Sequence, residues 1–145
     1  MANNSAKSFD DPTFRKAVRK KVGKRFKGDL FEDGYDLLLL NIETQVNDKV
    51  EISEDKEIIE EAVSDSLDDL NQGDDYTVFA LDTNRISDKR IAYTVLIRVG
   101  SAVNRDWPQG ADLYRHIASF IEDEDIIAVS VKDFASHFSF KYFPL

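Results

Sequence analysis

The residues best suited to do chemistry are Glu54, Asp55 and Lys56. In that order they match the acid-x-lysine fragment with which metal-dependent nucleases hold magnesium and stabilise charge at a phosphate. Asp36 or Asp48 could supply the further carboxylate. The same residues follow Ser53, a good helix cap, and acids in a first helical turn face its positive pole. Helix capping is therefore their expected role, and a metal-dependent nuclease is the enzymatic alternative. Gly23 and Gly28 have the spacing of a phosphate-binding loop. Asp29 and Leu30 then stand where lysine and a hydroxyl residue are needed, and Asp29 would repel a phosphate. A calcium loop counted from Asp68 puts Gly73 at its sixth position but Leu70, Gln72 and Phe79 at ligand positions.

The histidines are His116 and His137, both expected at the surface or in an interface, and no H-E-x-x-H or G-x-S-x-G motif is present. With no cysteine, disulfides, thiolate metal sites and a cysteine nucleophile are excluded. The expectation is a protein without catalytic residues, cofactor or metal.

Charge is the stronger signal. The 145 residues carry a formal net charge of −9, unevenly spread. Residues 1–28 hold nine Lys/Arg against two acids, and residues 29–75 hold 17 acids against two lysines. Residues 76–145 are almost neutral, with nine acids and eight bases. In the first stretch Phe14, Val18, Val22 and Phe26 recur at four-residue steps, while Arg15, Lys16, Arg19, Lys20, Lys24, Arg25 and Lys27 fill the other faces. This predicts an amphipathic basic helix that opens at Pro12 and ends near Gly28. In the second stretch Ser53 opens a helix with Ile58, Ile59, Ala62, Val63, Leu67 and Leu70 on one face. Glu57, Glu60, Glu61, Asp65, Asp68 and Asp69 take the other.

The elements that would hold these charged faces follow from periodicity. Tyr76–Leu81 and Ile91–Val99 read as strands of an antiparallel hairpin, with Arg85, Lys89 and Arg90 near its tip. Leu113, Tyr114, Ile117, Phe120 and Ile121 give the core face of a helix that follows the turn at Asp106–Gly110. Ile126–Val131 is a third strand, and Phe138, Phe140 and Tyr142, with Phe143, suit a fourth. Residues 33–48 fit a helical stripe, and Leu37–Leu40 also fits a buried strand; leucine's propensity points to helix. The expected class is α+β, N-terminal helices before a small antiparallel sheet in β-β-α-β-β order. A strand at 36–43 would instead give β-α-β-β-α-β, the ferredoxin-like order. The expected organisation is a basic helical arm, 1–28, and one α+β domain, 29–145. Within that domain 29–75 is the acidic helical part and 76–145 the sheet and helix. A chain of this length buries roughly 70% of its unfolded surface and needs no staple.

These features point to a non-enzymatic binding or assembly protein. Its basic helix would dock on the acidic face of a neighbour, either a second copy or another protein. Phe138, Phe140, Tyr142 and Phe143 would add aromatic contacts at a sheet edge. By element order alone this is analogous to small virion or phage-tail ring components. The runner-up is nucleic-acid binding through residues 14–27. The third reading is an acidic mimic of nucleic acid that occupies a basic protein. With no apolar run of bilayer length and no secretion signal, an intracellular or virion setting is expected and no membrane span.

Overall fold

The computed structural model describes residues 12–46, 55–70, 75–87, 89–122 and 126–133. Leu37–Leu40 decides the architecture. Residues 33–48 do not form the expected helix; Tyr35–Val46 is a strand, β1. Leu38, Leu40 and Ile42 enter one apolar cluster while Leu37 and Leu39 enter a second on the opposite face. A strand covered on both faces reads as a continuous apolar run, without the alternation that marks a half-exposed strand. Leucine's advantage in a helix over a strand former is a few tenths of a kcal/mol per residue. Burying each of these side chains is worth roughly 1.5–3 kcal/mol, so packing wins.

The helix Asp55–Leu70, α2, follows, then the strands Tyr76–Arg85, β2, and Arg90–Gly100, β3. A short helix, Ser101–Asp106, α3, precedes Ala111–Glu122, α4, and Ile126–Asp133, β4. The four strands form one sheet in the order β2-β3-β1-β4, and its neighbouring pairs are antiparallel. This is the ferredoxin-like arrangement, with β1 and β3 central and each helical crossover ending on an edge strand.

Two apolar layers flank the sheet. On one face Ile59, Ala62, Val63 and Leu67 of α2 and Leu113, Ile117 and Ile121 of α4 meet Ile91, Tyr93, Val95, Ile97 and Val99. The other face is closed by the helix Pro12–Val22, α1, and the segment after it. There Ala17, Val18, Val22 and Leu30 pack on Leu39, Phe79, Leu81 and Leu96. The basic segment read as an arm therefore contributes to a core of its own. Helix α1 stops at Val22, short of the expected Gly28, and Gly23 turns the chain at φ +61° into a 3-10 turn, Gly23–Arg25. That left-handed backbone is a position suited to glycine. Ser53, the expected helix cap, and the residues Asp48, His137, Phe138, Phe140, Tyr142 and Phe143 lie outside the described residues.

Candidate docking surfaces

Helices α1 and α2 lie on opposite faces of the sheet, and the turn after α1 meets α2 at the β2 edge. At that edge Arg25 Nη1 meets Glu60 Oε2 at 2.6 Å, and both also engage the strand backbone. Arg25 Nη2 donates to the Ala80 carbonyl at 3.2 Å, and the Ala80 N–H donates to Glu60 Oε2 at 2.7 Å. Lys21 and Asp82 pair beside them at 2.9 Å. The strand carries a register shift between Ala80 and Asp82. Arg25 and Glu60, read from the sequence as members of two separate charged surfaces, are thus joined within the chain.

The other members of the two sets are placed differently. Arg15 and Arg19 lie over the Phe31 ring, 4.6 and 5.0 Å from its centroid. Lys16, Lys20, Lys24 and Lys27 are exposed, with no hydrogen-bond or ion-pair partner among the described residues. On α2, Glu57, Glu61 and Asp65 are likewise exposed and unpartnered among the described residues. Asp68 accepts from the Tyr76 hydroxyl, and Asp69 Oδ2 stands 3.6 Å from His116 Nε2. The lysine row runs at residue steps of 4, 4 and 3, and Glu57, Glu61, Asp65 and Asp68 repeat those steps. Ile58, one of the exposed large apolar side chains, adjoins the acidic row at 39% exposure. The two rows lie on opposite faces of the sheet, and Arg25 and Glu60 meet at its β2 edge.

Comparisons with protein-family models, with curated proteins and with solved structures found no match. The two charged rows therefore rest on their own geometry.

Sequence reasoning missed Arg98, a buried cation on the α1 face with several partners. Its side chain, 7% exposed, reaches Glu32 Oε1 at 2.9 Å. It donates from Nε to the Leu30 carbonyl and from Nη2 to the Asp29 carbonyl, each at 3.2 Å. The guanidinium lies between two rings, 3.6 Å from the Tyr35 centroid and 4.7 Å from that of Phe26. It pins the segment between α1 and β1 to β3, and through that segment fixes where α1 sits. Phe26 and Tyr35 were its only sequence signal, and they stand far from it in the chain.

Tyr35 extends this contact to β2. Its hydroxyl donates to Asp75 Oδ1 at 2.8 Å. The hydrogen bond to the Asp75 carboxylate, and then its charge, raise the tyrosine pKa above the usual 10.0. The folded chain thus holds this proton more tightly than the unfolded one. The stabilisation is complete below the ordinary tyrosine range and is lost as pH rises through the raised value. Tyr35→Phe should be less stable than wild type at neutral pH, and the gap should close on the alkaline side. Urea midpoints of both proteins between about pH 8 and 11 check this.

An open cleft of about 520 Å³ borders the same segment, lined by Arg15, Phe31, Asp33, Asp36, Ser101 and Asn104 among others. Asp36, nominated above as a metal carboxylate, accepts from Ser101 Oγ and Asn104 Nδ2, both at 2.9 Å. These bonds tie β1 to the start of α3. Half-buried His116 joins α4 to α2, its Nε2 2.8 Å from the Ser66 carbonyl oxygen. Glu54 lies outside the described residues, and of Asp55 only the backbone is described, at the start of α2. Among the described residues no cluster of three His, Asp or Glu could hold a metal ion, and no helix is long and apolar enough to cross a membrane.

Proposed function

We propose that this chain is a non-enzymatic assembly protein whose copies dock head to tail. The lysine row of α1 and the turn after it meets the acidic row of α2 on the next copy. One observation carries the reading: exposed lysines and exposed acids, without partners among the described residues, stand on opposite faces of one sheet. Such a contact is heterologous and either closes a ring or extends a filament. Exposed ion pairs contribute about 0.2–1 kcal/mol each, so four supply on the order of 1–4 kcal/mol. Lost rotation and translation cost about 4 kcal/mol or more. Docking between two isolated copies is therefore weak and salt-dependent, and contact over Ile58 and ring closure must add to it.

Light scattering after size exclusion tests this at low and high salt. The expected result is a defined oligomer at low ionic strength that falls to monomer mass at high salt. A clean monomer under both conditions would remove self-assembly.

The exposed lysines also support a second reading, contact with the phosphates of a nucleic acid. RNA-binding sheets of similar layout use an open face that stacks bases. Here α1, Phe26 and Phe31 close that face, which leaves phosphate contact by the lysine row. Binding of that kind weakens steeply with salt and carries little sequence preference.

A further inference from the structure

We infer that the Arg25–Glu60 pair guards the β2 edge against pairing with a second copy of the same strand. Among the described residues β2 is an edge of the sheet. A bare edge presents N–H and C=O groups to any other strand. At Ala80 both groups are already taken, the carbonyl by Arg25 Nη2 and the N–H by Glu60 Oε2. The two side chains thus do at one residue what a neighbouring strand would do, and their own contact at 2.6 Å holds them in place. They reach it from opposite faces of the sheet, Glu60 from α2 and Arg25 from the turn after α1.

What they cover suits self-pairing. Tyr76–Leu81 reads Tyr-Thr-Val-Phe-Ala-Leu, six residues without a charge and rich in strand formers. Antiparallel pairing of two such edges about a two-fold axis places no like charges opposite each other within that stretch. Past Ala80, the register shift and the Lys21–Asp82 pair break the edge. The Ala80 contact is therefore the barrier on its uncharged part. This inference does not depend on the charged rows, because backbone pairing persists where salt has screened them.

The test is run at high salt. Wild type and Glu60→Gln, which keeps an oxygen for the Ala80 N–H, should share one mass. The double variant Arg25→Ala/Glu60→Ala should show twice that mass. A double variant that retains protected β3 amides and the wild-type mass overturns the inference. If losing both side chains unfolds the chain, Glu60→Ala alone decides. Upholding the inference requires an Ala80 amide that exchanges about tenfold faster in dilute solution, with a mass that grows with concentration. An Ala80 amide and mass unchanged from wild type overturn it.

Discussion

The triple reversal Lys16→Glu/Lys20→Glu/Lys24→Glu should leave the chain folded and abolish its assembly. These side chains point away from both apolar layers, so the substitutions remove no core contact. Each reversal replaces an attraction of about 0.2–1 kcal/mol with a repulsion of similar size. Three together should weaken the contact by roughly 1.2–6 kcal/mol, which is about 7- to 20,000-fold in affinity. Light scattering across a protein dilution series at low salt would read this directly. Reversing Glu57, Glu61 and Asp65 to lysine should do the same from the opposite side. Reversing Arg25 would not be an equivalent experiment, because Arg25 is engaged with Glu60 and the Ala80 carbonyl inside the chain.

The largest effect on stability is expected at Arg98. Arg98→Ala removes the donor to the Leu30 and Asp29 carbonyls, the partner of Glu32 and the cation between Tyr35 and Phe26. Breaking a buried charged contact costs roughly 3–5 kcal/mol. Unfolding in urea should show a loss near the lower end, because Glu32 stays largely in water. Arg98→Lys keeps the charge but not the planar fork that serves two carbonyls and stacks on a ring. It should recover less than half of the loss. Because Arg98 also fixes the segment that follows α1, Arg98→Ala should reduce assembly at protein concentrations where the native fold is still populated.

Much of the fold was legible because its signals are local. The period of Ile91, Tyr93, Val95, Ile97 and Val99 marks β3, and the two-faced pattern between Ile58 and Leu70 marks α2. β1 was misread as helix because the cause lies elsewhere in the chain. Leu37–Leu40 is a strand because α1 covers one face of the sheet and α2 with α4 the other. A single stretch of sequence does not reveal that two layers will close on it. The short α3 was missed because six residues carry no periodicity. Within the candidate surfaces, the net sign of each was legible. Which charges are engaged inside the chain was not. Arg25 looks like Lys24 and Glu60 looks like Glu61 until Ala80 is brought between them.

The most direct test of head-to-tail docking mixes the two reversed proteins. Lys16→Glu/Lys20→Glu/Lys24→Glu and Glu57→Lys/Glu61→Lys/Asp65→Lys each carry like-charged rows, so each alone should be a monomer at low salt. In an equimolar mixture every reversed row meets an oppositely charged row on the other variant. The account predicts that the wild-type oligomer mass returns and is lost again at high salt. A mixture in which both remain monomers, while wild type assembles, would contradict it.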